Sequence, residues 1–186
     1  MLVEFIIPTY NRIDPLRCIL SSLMSQNDND WKATVIQDGN DNLEYIIDEL
    51  DDPRIIFSYT EERYDDWGHS LREIAKQKSV ADYIVMTNDD NYYTPNLVKE
   101  LKIAAKLKPG MIYWDMVHSH YNYQYFNCKP IINEIDMGAF ATRNDLAKQI
   151  KMRTIFPADG EYVRDFCNKF PGEAKVKINK ILFVHN

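Results

Sequence analysis

Basic side chains are in short supply in this chain of 186 residues: 22 Lys and Arg against 28 Asp and Glu leave a formal net charge of -6. No basic stripe offsets that balance, so a nucleic-acid partner is not expected. Cysteine is scarce as well. Cys18, Cys128 and Cys167 lie far apart and match no metal-ligand spacing, which excludes a disulfide framework and points to a reducing, cytoplasmic setting. Cys18 falls within a helical apolar pattern, where a free thiol behaves as a small buried hydrophobe. No apolar run approaches the length of a membrane span. The opening Met1-Leu2-Val3-Glu4-Phe5-Ile6-Ile7-Pro8 has no basic flank and stops too soon for a secretion signal. Any membrane contact would then be peripheral, through a substrate or a partner.

Two phosphate-binding signatures are also missing. The segment after the first apolar run is Pro8-Thr9-Tyr10-Asn11-Arg12, not the Gly-rich turn of a dinucleotide-binding unit. No Gly-Lys-Thr/Ser loop occurs either. A bound phosphate would have to be held by a metal and by side chains.

What is present is ordinary in bulk. Apolar content of 45% and charged content of 27% suit a folded globular protein, and the length suits one domain with a full core. Tyrosine is the unusual residue, with 12 in the chain, several in Tyr92-Tyr93 and Tyr121-Asn122-Tyr123-Gln124-Tyr125. An exposed set would offer stacking area and hydroxyls to a sugar or a base. Tyrosine fills strands and interfaces equally well.

Strands and helices alternate from the start. Residues 2–7 read as a buried strand, and Asp14-Pro15 as an N-cap with Pro at the first helical position. Leu16, Ile19, Leu20 and Leu23 then mark one face of a helix ending near Gln26. Further strands are expected over 31–37, 55–59 and 83–87, with helices over 42–50, 70–78 and 95–107. Such units imply a largely parallel sheet covered by helices on both faces, joined by right-handed crossovers. After Pro109-Gly110 the rhythm changes. Residues 111–117 and 121–127 read as strands with no full helix between them, so this part should be antiparallel or mixed. Helices over 143–152 and 160–170 and a strand over 176–184 complete the chain. No repeat or interdomain linker is evident.

The polar residues of interest fall just after strands. Asn88-Asp89-Asp90-Asn91 follows Tyr83-Ile84-Val85-Met86, and Asp38 follows the strand ending at Gln37. Packed oxygen ligands suit a hard cation, Mg²⁺ or Mn²⁺, beside a phosphate. The C-terminal edge of an open α/β sheet is where ligands bind. Asp and Asn also favour turns and helix caps, and that bland reading stands beside the functional one.

The order of pieces resembles the GT-A fold glycosyltransferases of family 2, inverting enzymes that use nucleotide-diphosphate sugars. The resemblance runs through Phe5-Ile6-Ile7-Pro8-Thr9-Tyr10-Asn11-Arg12, Leu16-Arg17-Cys18-Ile19-Leu20-Ser21-Ser22-Leu23 with Gln26, and Ala33-Thr34-Val35-Ile36-Gln37-Asp38-Gly39-Asn40-Asp41. It continues through Ala81-Asp82-Tyr83-Ile84-Val85-Met86-Thr87-Asn88-Asp89-Asp90-Asn91, in the place of the family's Asp-x-Asp motif. It covers roughly the first 110 residues; beyond them it is looser. Gln37 replaces the first acid of Asp-Asp-Gly-Ser, Asn91 stands where a second metal carboxylate is usual, and the Arg-Asn-x-Gly segment is degenerate, with Arg72 its nearest basic residue.

The resemblance implies one GT-A domain over 1–186, with a nucleotide-sugar half (1–110) and an acceptor and catalytic half (111–186). The donor would meet Pro8, Thr9, Tyr10, Asn11, Arg12, Asp38, Gly39, Trp67, His69, Arg72, Asn88, Asp89 and Asp90. Asp38 would read the base or ribose, Gly39 would let the chain turn beside the ligand, and Trp67 could stack on a ring. Mn²⁺ or Mg²⁺ would be held by Asp89, Asn91 (Asp90 if the register shifts) and His185, to offset charge on the departing diphosphate. Asp159 in Pro157-Ala158-Asp159-Gly160-Glu161 would be the catalytic base, with Glu161 as fallback; as an alternative, Asp159 would cap the next helix. Asp136 would bond donor-sugar hydroxyls and is the next candidate for the catalytic base, and Gly138 would let the sugar approach closely. His118 and His120 read as surface residues at a strand end, because no third ligand is evident.

The expected reaction is metal-assisted, inverting transfer of a sugar, with UDP as the leading carrier, to a glycan or other hydroxyl acceptor. Rivals are a nucleotidylyltransferase, which would need a basic Gly-rich loop near the first strand, and a noncatalytic nucleotide-sugar-binding protein. A homo-oligomer or partner completing the acceptor site is left open.

Overall fold

The computed structural model describes residues 1–40 and 43–186. Asp41 and Asn42, the end of the Asp38 motif and the expected start of the second helix, lie outside them. The first half follows the alternating pattern: β1 (Val3–Thr9), α1 (Ile13–Met24), β2 (Trp31–Gln37), α2 (Glu44–Leu50), β3 (Ile55–Tyr59), α3 (His69–Lys78) and β4 (Tyr83–Met86). β1 is buried along its whole length and pairs in parallel with both β2 and β4. A strand covered on both faces must be apolar at successive positions, which is why this unit shows as unbroken apolar runs. α1 begins one residue before the expected cap, at Ile13, so Asp14 and Pro15 occupy its first turn. Proline is tolerated there because no partner is needed for the missing N–H.

The second half holds β5 (Tyr92–Tyr93), α4 (Leu97–Ala104), β6 (Met111–His118), β7 (Gln124–Phe126), β8 (Phe140–Arg143), α5 (Asn144–Ala147), α6 (Ala158–Lys169) and β9 (Lys175–His185). Among the described residues one mixed sheet runs β3-β2-β1-β4-β8-β6-β9-β5, with β7 added on β6. β8 is antiparallel to both β4 and β6, so β6 runs in the direction of β4; β9 is parallel to β6. The C-terminal ends of β1, β2, β4, β6 and β9 therefore share one edge of the sheet.

Three expectations change. The helix expected over 143–152 shrinks to one turn, because Arg143 ends a strand, paired with Tyr83, and ion-pairs with Asp145 and Glu173. The strand expected over 121–127 is confined to Gln124–Phe126 behind a 3-10 turn at Ser119–Tyr121. Tyr93 is fully buried between Phe5 and Phe183, at ring separations of 5.2 and 5.3 Å, and donates to the Gly138 carbonyl at 3.1 Å. It is core, not a ligand contact.

Gly138 is also enclosed. A Cβ there would meet the Phe183 ring at 2.6 Å and Thr87 Oγ1 at 3.0 Å, so its space is taken by the core and not held open for a sugar. Gly138→Ala should overpack this junction and lower stability by about 1–3 kcal/mol, read as an earlier urea midpoint. An unchanged midpoint would show that the β9 end yields without strain.

Candidate active site

At the shared edge, the loop between β3 and α3 folds back over the end of β1. Gly68 makes this possible: its φ is 76°, and a Cβ would sit 2.5 Å from Pro8 Cβ. The result is a cleft of about 370 Å³ lined by Pro8, Thr9, Tyr10, Arg12, Asp38 and Arg63 on one side. Trp67, Leu71, Arg72, Asn88 and Asp89 line the rest, with Asp65 and Gly68 at the loop. Asp38 follows β2 and is nearly buried; its two oxygens accept from the Tyr64 and Asp65 amides at 2.7 and 3.0 Å, so it anchors the overhanging loop. Asp89 accepts from Thr9 Oγ1 at 2.7 Å and from Arg12 at 3.1 Å. Burial raises the Asp89 carboxyl above its usual range, against the pull of Thr9 and Arg12.

A second pocket of about 220 Å³ adjoins the first, and Trp67, Arg72 and Asn88 line both. Its other walls include His69, Asp136, Phe156, Asp159 and His185. Asp136 accepts from the Gly138 amide at 2.8 Å and lies 3.6 Å from His185 Nε2. Burial pushes the Asp136 carboxyl upward. Asp159 sits in the first turn of α6, where Oδ1 accepts from the Gly160 amide at 2.7 Å. Burial, and then the negative charge of Asp136, push its pKa up to about 6. His69, half-buried beside the Arg72 cation, is pushed down to about 4 and stays neutral, and its Nδ1 is enclosed with no hydrogen-bond partner among the described residues.

Arg72 separates the two spaces. It is 2% exposed and donates to the Trp67 and Thr87 carbonyls at 2.8 and 2.9 Å and to Asn88 Oδ1. Burial lowers its pKa to about 10, against the opposing pull of Asp136, Asp89, Asp66 and Asp159, so it remains a cation at neutral pH.

Several expected site residues lie elsewhere. Asn91 is fully buried; its amide nitrogen donates to Thr87 Oγ1 at 3.1 Å and its oxygen accepts from the Asn186 amide at 3.3 Å. It pins the chain's last residue and is not turned to either cavity. Asp90 also lines neither cavity but has spare capacity: Oδ2 pairs with Arg12 at 2.8 Å, while Oδ1 is buried with no hydrogen-bond partner among the described residues. Glu161 is bound in ion pairs with Arg153 and Arg164, outside the pocket. Asn11 and Gly39 form the turns after β1 and β2 and line neither cavity.

Arg63 is a cleft residue that no motif in the sequence marks. Its guanidinium stacks on Tyr10 at 3.7 Å and lies 3.8 Å from Asp38. A lone Arg in the charged run Glu61-Glu62-Arg63 carries no motif; only the folded loop brings it to the cleft.

No group of three His, Cys, Asp or Glu among the described residues is arranged to hold an ion alone. The charge of Asp90 acts on Asp136, which lies 3.6 Å from His185 Nε2, and the enclosed Asp90 oxygen would suit a cation whose remaining ligands come from a diphosphate.

The raised Asp159 pKa has a consequence for folding. An unfolded Asp titrates near 3.8, so the neutral acid is favoured in the folded state and that contribution is lost as pH rises through about 6. Asp159→Asn should therefore unfold at higher urea than the wild type at pH 7.5, and the difference should vanish below pH 4. Equal midpoints at both pH values would contradict the burial of this carboxylate.

The family model described as Glycosyl transferase family 2 matches residues 4–156, a stretch that includes Asp38, Arg72, Asp90 and Asp136 and ends before Asp159 and His185. No curated protein sequence matches the chain. Among solved structures, S. aureus TarS 1-349 superposes with a TM-score of 0.83 at 13% identity, over 100% of this chain and 60% of that one. The same protein in complex with UDP-GlcNAc gives 0.82 at 14% identity, over 99% and 58% of the two chains. The mannosyltransferase PcManGT from Pyrobaculum calidifontis, in complex with GDP-Man and Mn2+, gives 0.74 at 16% identity, over 98% and 56%. The chain thus spans three-fifths or less of these neighbours' lengths and shares their GT-A fold. By the family match over most of its length, it is a member of Glycosyl transferase family 2.

Proposed function

We propose that this protein is an inverting glycosyltransferase that moves a sugar from a nucleotide-diphosphate donor to a hydroxyl acceptor, with UDP-sugars the first donors to test. The observation that carries this reading is the junction at Arg72. A cleft of about 370 Å³ shares the walls Trp67, Arg72 and Asn88 with a pocket that holds a carboxylate with a pKa of about 6. The neighbours with bound UDP-GlcNAc and GDP-Man support a nucleotide-sugar donor without choosing its base.

In this account residues 1–110 hold the donor and residues 111–186 supply the acceptor side. The nucleotide lies against Pro8, Thr9 and Tyr10, with Asp38 holding the Tyr64-Asp65 loop over it. Arg63 and Arg12, each with its side chain nearly half exposed, line this cleft and would face the diphosphate. Asp90 and His185 would hold a divalent cation, which would offset the charge gathering on the departing diphosphate. Asp136 accepts from a donor-sugar hydroxyl. Asp159 takes the proton of the acceptor hydroxyl as that oxygen attacks C1, and the C1–O bond to the diphosphate breaks with its electron pair leaving on the nucleotide. A base titrating near 6 is largely ionised at neutral pH yet basic enough to accept the proton.

Asp159→Asn should leave UDP affinity unchanged while lowering turnover roughly 10²–10⁴-fold, the usual contribution of a positioned acid or base. Glu161→Gln should change turnover little; the reverse ranking would move the base to Glu161. The wild type should bind UDP more tightly with Mn²⁺ by calorimetry, and Asp90→Asn should abolish that gain. A normal Mn²⁺ effect in that variant would remove Asp90 from the cation site.

A further inference from the structure

A cavity of about 760 Å³ takes no part in donor binding or proton transfer. It opens at the sheet edge opposite the active site, where β1 and β4 begin. Its walls carry five cations, Lys102, Lys106, Lys108, Arg143 and Lys148, against two carboxylates, Asp82 and Asp145. Lys102 is engaged by Asp28 and Asp30, and Arg143 by Asp145 and Glu173, whereas Lys106, Lys108 and Lys148 make no ion pair among the described residues. On a chain of net charge -6, this is a local reversal of sign.

The same region presents Val80 and Leu107, the two most exposed large aliphatic side chains among the described residues, at 83% and 81%. Consecutive residues at the end of β8 hold both of their segments. Arg143 Nη1 donates to the Lys108 carbonyl at 2.9 Å, and the Asn144 side-chain amide donates to the Ser79 and Ala81 carbonyls at 3.2 and 2.7 Å. Leu107 thus stands between two unpaired lysines, and Val80 beside Asn144 in the cavity wall.

Aliphatic tips among lysines match a bilayer interface. Anionic headgroups attract the lysines, and the acyl boundary takes up the aliphatic side chains. Protein interfaces instead favour aromatic rings and arginine and are poor in lysine. The ring in this wall, Tyr83, is buried, and its hydroxyl donates to the Pro109 carbonyl at 2.7 Å. A nucleic acid would meet the lysines but leave Val80 and Leu107 without a partner.

We propose that this face docks the protein on an anionic lipid surface, with Lys106, Lys108 and Lys148 against headgroup phosphates and Val80 and Leu107 entering the interface. The contact is peripheral, since no helix among the described residues is long and apolar enough to cross a membrane. It is made by the chain itself and not through a substrate, and it does not depend on the transferase reading. Because the active site lies at the other edge of the sheet, docking leaves the donor cleft and Asp159 open.

The test is flotation with vesicles of phosphatidylcholine alone and of an equal mixture with phosphatidylglycerol. The wild type should float with the mixed vesicles only, and raised salt should release it. Lys106→Gln, Lys108→Gln and Lys148→Gln together should lower partitioning roughly 100-fold, about fivefold for each lysine. A matched triple variant, Lys129→Gln, Lys169→Gln and Lys180→Gln, removes the same charge outside the cavity and should float like the wild type. Leu107→Ser should weaken partitioning roughly tenfold, the scale of one aliphatic side chain left in water. A wild type that fails to float, equal losses in the two triple variants, or an unaltered Leu107→Ser variant would overturn the proposal. Retention on a polyglutamate matrix without flotation would make an acidic protein the occupant of this face, and the proposal would fail.

Discussion

The buried guanidinium of Arg72 is the interaction on which the rest of the site depends. Four carboxylates, on Asp66, Asp89, Asp136 and Asp159, act on it from different parts of the chain. Without a cation among them they would repel one another in a space that water barely reaches, and burial alone already raises three of them. Arg72 answers with both charge and geometry. Its planar fork spans the Trp67 and Thr87 carbonyls and Asn88, so one side chain from α3 fixes the overhanging loop and the end of β4 together. A lysine could supply the charge but not the fork. Breaking a buried charge cluster by removing one partner typically costs about 3–5 kcal/mol, so fold and site stand on the same residue.

The same arrangement sets the carboxylates apart by role. Asp38 spends both oxygens on backbone amides and becomes part of the loop architecture. Asp89 is held by Thr9 and Arg12 and serves as wall. Asp90 keeps one buried oxygen without a partner among the described residues, and Asp159 is held near 6 by burial and by Asp136. Acids held by such different partners could divide cation binding and proton acceptance between them.

How far this could be read from the chain depends on burial. The β1–β4 units were legible because strands covered on both faces leave long apolar runs. β5 and β8, of two and four residues, leave none, and β8 exists because Tyr83 and Ile84 on one side and Met111, Ile112 and Tyr113 on the other offer it partners. The oxygen cluster was legible as a candidate site but not in its register. Asn91 looks like a ligand by position, and only its bonds to Thr87 and to the far end of the chain show otherwise. Asp159 and Glu161 stand two apart on a helix and point to different sides, so only one can face the pocket, a choice that needs the orientation of α6. Arg63 needed the folded loop.

The central claim is that donor cleft and catalytic pocket form one site meeting at Arg72, with a cation bound between Asp90 and His185 once a diphosphate is present. Paramagnetic broadening of backbone amide signals by substoichiometric Mn²⁺, recorded with and without UDP, tests it most directly. The account predicts weak, scattered broadening without UDP. With UDP the loss should concentrate on residues 88–91, 136–138 and 184–186 while α2 and α4 stay sharp. UDP-independent broadening, or broadening centred away from Asp90 and His185, would contradict it.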